Sequence, residues 1–199
     1  MTVEELVRAA AKGNTLAFEE LVRLHEKKVY ALALRMCGSS EDAADAAQEA
    51  FLSAWRGLPS FRGEAGFSTW LYRLTSNAAI DQLRRSRRQR EEASLDAGDL
   101  PLDVPDGQPG PQEAAESTEL QKAVADGLRQ LSEDHRQILL MREYQELSYD
   151  EIAQALEVDL GTVKSRISRA RRALRKILLE RGNLSGYLPS KQTEKEGRS

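Results

Sequence analysis

Cysteine occurs once in this chain, at Cys37, so no intramolecular disulfide can form. Histidine occurs twice, at His25 and His135, and two histidines with one cysteine give no metal-ligand spacing. Cys37 and His25 fall near apolar stripes of helices and read as core or boundary residues. No metal and no cofactor are expected. No apolar stretch approaches the length that spans a bilayer, and the opening MTVEELVRAAAKGN lacks the basic start and apolar run of a signal peptide. The expectation is a soluble, cytoplasmic protein. There is no Gly-rich phosphate loop, no histidine set for acid–base work and no nucleophile beside a base, so an enzyme is not expected. The carboxylates Asp42, Asp45 and Glu49 are read as sharing one exposed helical face, which does not suit acid–base work. No strand-like alternation occurs, which makes the fold class all-α. Positive charge is also missing from one long stretch. Between Arg90 and Lys122 there is no Lys or Arg, while Glu91, Glu92, Asp96, Asp99, Asp103, Asp106, Glu113, Glu116 and Glu119 accumulate.

What is present is organised around ELSYDEIAQALEVDLGTVKSRISRARRALRKIL, residues 146–178. Ser148 and Glu151 form the S-x-x-E capping box that starts a helix, with Ile152, Ala153 and Leu156 on its apolar face. Glu157, Val158 and Asp159 fill a short turn. A second helix then begins near Leu160, with Val163, Ile167, Ala170, Leu174 and Ile177 recurring at spacings of four and three. The opposite face carries Lys164, Ser165, Ser168, Arg169 and Arg172, flanked by Thr162 and Arg166. A helix solvated merely for solubility interleaves charge signs for i,i+4 pairing. Here seven cations, Lys164 to Lys176, precede the first acid, Glu180. A buried stripe behind basic and hydroxyl groups suits the major groove of DNA, and the pair reads as a helix-turn-helix.

The rest of the chain is helical pattern broken by one linker. Residues 3–12 form a short amphipathic helix ending at Gly13. Asn14 or Thr15 caps the next, with stripe Phe18, Val22, Val29, Leu32 and Met36. Ser39 or Ser40 caps a third, from Glu41 to Gly57, with core stripe Ala44, Ala47, Phe51, Ala54 and Leu58. Its other face holds Asp45, Gln48, Glu49 and Leu52, a leucine set in a polar rim, as docking surfaces are. The loop PSFRGEAG, residues 59–66, presents Phe61 and Arg62. Ser68 or Thr69 caps a fourth helix in which Leu71, Leu74, Ala78 and Leu83 are buried. One stripe of it collects Trp70, Arg73, Asn77, Arg84 and Arg88, a combination suited to single-stranded or melted DNA. With Arg85, Arg87 and Arg90 this end forms a basic block, so two basic surfaces flank an acidic strip and imply two nucleic-acid contacts. Residues 91–116, with Pro101, Pro105, Pro109 and Pro111, read as a flexible acidic linker. Helical pattern resumes at Ser117 with Leu120, Val124, Leu128 and Leu131, and Ser132 caps a helix holding Ile138, Leu139 and Met141. The tail after Arg181 reads as disordered. The architecture expected is two small helical domains, 1–90 and 117–181, joined by the linker 91–116 and followed by a tail, 182–199.

DAADAAQEAFLSAWR, FSTWLYRLTSNAAIDQLRR and LSYDEIAQALEVDLGTVKSRISRARRALRK, in that order and spacing, resemble the sigma-70 family, extracytoplasmic-function group. The resemblance covers roughly residues 14–180. It implies a promoter-specificity subunit that joins bacterial core RNA polymerase, recognises promoter DNA and helps open it. By position, Asp45, Gln48, Glu49 and Leu52 would dock on polymerase. The loop of Phe61 and Arg62 would capture a flipped minus-10 base, and Arg73, Asn77 and Arg84 would follow the opened strand, with Trp70 and Arg88 on the same stripe. Lys164, Ser165, Ser168 and Arg169 would read the minus-35 element, with Thr162, Arg166 and Arg172 added by the helical wheel. The acidic linker would thread the RNA path inside polymerase. The partners implied are core RNA polymerase, promoter DNA and an anti-sigma factor, in this group often membrane-anchored. The competing reading is a helix-turn-helix regulator that binds an operator directly. That protein needs a ligand domain, a receiver domain or a dimerisation helix, and residues 1–90 show none.

Overall fold

Periodic apolar positions bounded by caps produce eight α-helices in the computed structural model, which describes residues 1–63, 65–97 and 119–180. They are α1 Val3–Ala10, α2 Thr15–Cys37, α3 Ser40–Gly57, α4 Phe67–Ala97, α5 Glu119–Gln130, α6 Glu133–Leu139, α7 Tyr149–Leu156 and α8 Leu160–Glu180. A 3-10 turn, Leu58–Ser60, follows α3, and a π turn, Leu140–Tyr144, continues α6. No strand occurs among the described residues. Most of the expected linker and the expected tail lie outside them.

Three helix starts of the first unit follow from local side-chain chemistry, whereas Ser132, expected to cap α6, holds the N-cap position without a side-chain hydrogen bond. Thr2 and Glu5 form a capping box on α1, Asn14 caps α2 through Ala17 N–H, and Ser39 caps α3 through Asp42 N–H. Gly38 ends α2 in the left-handed region at φ 77°, where a side chain would be strained. The expected cap of α4 is corrected. The helix starts at Phe67, with Trp70 N–H donating to Gly66 O, so the Ser68 and Thr69 hydroxyls are released for tertiary contacts. Ser68 Oγ meets His25 Nε2 at 3.1 Å, while His25 Nδ1 lies 2.9 Å from Leu21 O. A carbonyl can only accept, so Nδ1 carries the proton and Nε2 accepts from the serine. Both ring nitrogens are satisfied, and His25 is a core residue. The far end of α4 is also corrected: residues 91–97, assigned to the linker on composition, continue the helix.

Two packed units result. In the first, α2, α3 and α4 surround Leu21, Val29, Leu32, Met36, Leu58 and Leu71, with α1 closing one side. The stripe of α3 is displaced from the expected one. Ala43, Ala46, Ala50, Ala54 and Leu58 are buried, Ala44 is exposed, and Ala47 and Phe51 are half-buried. With alanine at every third or fourth position, composition cannot tell adjacent phases apart. In α2, likewise, Leu21 is fully buried and Val22 only half-buried. In α4 the buried set is Leu71, Tyr72, Thr75, Ser76, Ala79 and Ile80; Leu74, Ala78 and Leu83 are half-buried. Thr75 avoids a desolvation penalty by donating to Leu71 O at 2.9 Å.

The second unit packs α5–α8 around Leu131, Ile138, Leu139, Met141, Ile152, Val163, Ile167 and Ala170. Gly127 lets α5 approach α8, because a Cβ there would stand 2.9 Å from Leu174 Cδ1. The π turn inserts one residue into the helical register, with Gln145 N–H reaching back to Leu140 O at 2.9 Å. Its consequence is a helix buried on two sides. Leu139 and Met141 face the core of the second unit, while Leu140 enters the core of α2, α3 and α4.

Arg136 ties the same region together. Its buried guanidinium donates to Leu128 O (2.9 Å), Arg129 O (2.6 Å), Leu131 O (3.3 Å) and Met36 O. These carbonyls belong to the C-terminal ends of α5 and α2, which carry the negative pole of the helix dipole. Burial pushes the Arg136 pKa down from its usual value, although arginine stays charged in proteins. Two helix ends therefore take the place of a carboxylate.

Candidate nucleic-acid interface

The α7–α8 pair is built by short-range bonds. The Ser148–Glu151 capping box is complete, and its hydrogen bonds hold the Glu151 carboxyl below the usual range. Glu157 ends α7 in the left-handed region at φ 54°. Asp159 then accepts Thr162 N–H at 2.8 Å, starting α8, and bonds from Thr162 depress its pKa. In α8, Val163, Ile167 and Ala170 are buried, with Leu178 beyond them; Leu174 and Ile177 are half-buried. The seven residues expected to read duplex DNA share the other side. Lys164, Ser168, Arg169 and Arg172 are exposed, and Thr162, Ser165 and Arg166 are half-buried. Two hydroxyls are already engaged, Thr162 Oγ1 with Asp159 and Ser165 Oγ with Thr162 O at 3.0 Å. Arg171, on the flank, pairs with Glu143 (Nε to Oε1 3.0 Å). Lys164, Arg166 and Arg169 have no ion pair among the described residues. They are charges without an anionic partner among the described residues, as phosphate- and base-seeking groups are before binding.

The α4 stripe divides into three parts. Trp70 is half-buried and stacks with Phe61 (ring centroids 4.7 Å apart) and Phe67 (5.9 Å). Gly57 lies directly beneath, since a Cβ there would come within 2.9 Å of the indole. Phe61 and Trp70 thus join an aromatic cluster that seals the first unit's core. Arg62 beside them is exposed. Arg73, Asn77 and Arg84, in the middle of the stripe, all face the second unit. Arg88 is exposed farther along the helix.

On α3, Asp45 and Gln48 are exposed, Glu49 is half-buried, and Leu52 stands 41% exposed between them. Glu49 Oε1 accepts from Ser53 Oγ (3.1 Å) and Arg56 Nη1 (3.4 Å), which fixes the rim around the leucine. Asp42 corrects the expectation for this face. It is buried, and it accepts Ser86 Oγ at 2.7 Å and Gln82 Nε2 at 3.0 Å, locking α3 to α4. The Cys37 thiol is half-buried and pushed up to about 12 by desolvation, so it is not a thiolate at neutral pH. Among the described residues no three His, Cys, Asp or Glu side chains could hold a metal, and no helix is long and apolar enough to cross a membrane.

Sequence reasoning missed Glu133, Arg136 and Glu157. The only hint for Arg136 is a cation leading directly into the apolar run Ile138–Met141. Glu133 and Glu157 look like any exposed acids.

A model of sigma-70 region 2 matches residues 21–89, and one of sigma-70 region 4 matches residues 121–174. The chain is 38% identical over 183 residues to the RNA polymerase sigma-H factor of Pseudomonas aeruginosa, covering 88% of this chain and 93% of that protein. It is 36% identical over 183 residues to the ECF RNA polymerase sigma factor SigW of Bacillus subtilis, covering 89% and 97%. Among solved structures it resembles the sigma factor RpoE of Bartonella quintana, crystallised with the anti-sigma factor NepR. That match has a TM-score of 0.62 and 25% identity, over 81% of this chain and 96% of the other.

Proposed function

The chain belongs to the sigma-70 family, extracytoplasmic-function group, as a promoter-specificity subunit of RNA polymerase, and from that premise we propose how its surfaces divide the work. Residues 1–90 form the unit that docks on core polymerase and handles the minus-10 element. Residues 117–181 form the unit that reads the minus-35 element, and the stretch beyond the end of α4 at Ala97 connects them. Asp45, Gln48, Glu49 and Leu52 make the docking face. Phe61, Arg62, Trp70, Arg73, Asn77, Arg84 and Arg88 handle opened DNA. Thr162, Lys164, Ser165, Arg166, Ser168, Arg169 and Arg172 face the minus-35 duplex. The observation that carries this division is the α8 surface, where unpaired cations stand opposite a buried stripe inside the region 4 match. The protein works in the cytoplasm as a non-catalytic subunit. An anti-sigma factor restrains it, as NepR accompanies the similar Bartonella protein.

Run-off transcription of genomic fragments with reconstituted core polymerase tests the assignment, and transcripts that appear only when this chain is added support it. Lys164→Ala and Arg169→Ala should each weaken minus-35 duplex binding. A lost base contact costs about 1–3 kcal/mol and relaxes preference at one base pair, whereas a lost phosphate contact weakens all sequences alike. Titration of duplexes with single-base changes separates the two, and wild-type affinity in both mutants would show that α8 is not the reading helix.

Asn77→Ala should slow promoter opening in the assembled holoenzyme while minus-35 binding persists, as measured by permanganate reactivity. Phe61→Ala should do so more strongly, because base stacking is worth roughly 1–3 kcal/mol. Phe61 also packs on Trp70, so its thermal stability must be measured alongside. Wild-type opening rates in both variants would reduce this loop and helix face to a structural role.

A further inference from the structure

Arg171 continues the reading surface of α8 but is held at its edge. Lys164, Ser168, Arg171 and Arg175 follow one another at intervals of four, three and four residues, so they form one exposed ridge along the helix. Lys164 and Ser168 belong to the face assigned above to the minus-35 duplex. Arg171 stands two turns beyond Lys164, about 10 Å along the axis, where that face borders the buried stripe. A helix in the major groove turns its middle to base edges and its flanks to the phosphate walls. A cation on this flank is therefore placed for a phosphate.

Arg171 already has an anion, however. Glu143, in the π turn, accepts from its Nε at 3.0 Å and from its Nη2. Hydrogen bonding to Glu143 raises the arginine's pKa, with a further contribution from Tyr149 at the start of α7. Both side chains of the pair are half exposed (52% and 54%), so DNA can reach them. The neighbouring Arg142 is committed elsewhere. It donates to Leu147 O at 2.8 Å and lies over the Tyr149 ring, 5.3 Å from its centroid. The Glu143–Arg171 pair lies within the second unit, unlike Arg73 with Glu157 (2.7 Å) and Arg84 with Glu133 (3.1 Å), which join the two units.

We propose that Glu143 limits sequence-independent DNA binding: it holds Arg171 off the backbone and so withholds one phosphate contact from duplex DNA of any sequence. The proposal rests on the assignment of α8 to the minus-35 duplex. A carboxylate and a phosphodiester offer a guanidinium the same anionic oxygens, so the two compete for Arg171. Each phosphate contact strengthens binding to all sequences alike and steepens the fall of log affinity with log salt by about 0.9. Non-specific sites vastly outnumber promoters, so a chain with one contact fewer is less retained on bulk DNA and stays available to polymerase.

The test uses the full chain and anisotropy of two fluorescein-labelled duplexes, one carrying the minus-35 element of a promoter found by run-off transcription and one of scrambled sequence. Titrations between about 50 and 200 mM salt give the slope. Glu143→Gln should steepen it by about 0.9 and tighten binding to both duplexes about two- to fivefold. Arg171→Gln should leave the slope at its wild-type value, and Glu143→Gln/Arg171→Gln should return to it. Glu19→Gln, exposed on α2, makes the same change in net charge and should leave the slope unaltered. A wild-type slope in Glu143→Gln, with a lower melting temperature, would overturn the proposal and reduce the pair to a strut between the π turn and α8. So would a shallower slope in Arg171→Gln, since Arg171 would then already contact phosphate in the wild type. Steepening that persists in the double variant, or that appears equally in Glu19→Gln, would overturn it too. Failure of the α8 assignment itself is seen separately, because Lys164→Ala and Arg169→Ala would then keep wild-type affinity for the promoter duplex.

Discussion

Leu52→Asp is expected to abolish binding to core polymerase and leave the fold intact. The side chain is 41% exposed on α3, and the buried alanines of that helix lie on other faces, so its replacement opens no cavity. Surface changes of this kind usually alter stability by no more than about 0.5 kcal/mol. At a docking surface the arithmetic differs. A central apolar anchor carries about 2 kcal/mol or more, and an aspartate adds an unpaired charge where water must leave. The neighbouring Asp45 and Glu49 add like-charge repulsion. Thermal denaturation and co-purification with core polymerase, run on the same mutant, separate the two properties. A folded mutant that co-purifies like wild type would exclude this face as the docking site, and an unfolded mutant would place Leu52 in the core.

The second large effect is expected at Arg136. Arg136→Met keeps most of the side-chain volume but strips four carbonyl groups of a charged donor. Hydrogen bonds to charged groups contribute about 1.5–3 kcal/mol each, and water re-solvates some of the released carbonyls, so a loss of about 2–4 kcal/mol is expected. Arg136→Lys should not restore it, because one ammonium cannot reach the ends of α2 and α5 together as a planar fork does. Urea denaturation of the three proteins measures this. A loss below about 0.5 kcal/mol in the Met variant would mean that the carbonyls find other partners at no cost.

The parts of this structure that were legible in the sequence are those set by near neighbours. Ser148 with Glu151, Asn14 and Ser39 are caps whose partners lie three residues away, and each forms as its spacing requires. The α8 stripe was legible because Val163 and Ile167 are large and their opposite face is uniformly basic. Phase failed in α3, where alanine follows alanine and adjacent registers differ little in apolar content. It failed for Asp42, whose burial depends on Gln82 and Ser86 some forty positions away. The aromatic packing of Phe61 and Trp70 was hidden for a related reason, since a ring that seals a core and a ring that awaits a base have the same composition. The linker reading gave way at residues 91–97, where a helix already propagating from Phe67 extends through acidic residues of good helix propensity.

The π turn at Leu140–Tyr144 has a thermodynamic consequence. Because Leu139 and Met141 belong to one core and Leu140 to the other, a single helix is a structural member of both. Neither unit can melt without withdrawing apolar surface from its neighbour, so the closed chain unfolds as one cooperative body despite its two cores. Parting the units divides that body. The second unit must then survive as a domain of about sixty residues, a size at which the surface buried on folding leaves only marginal stability. Contacts supplied by polymerase and promoter would then have to take over the stabilising role that the first unit had served.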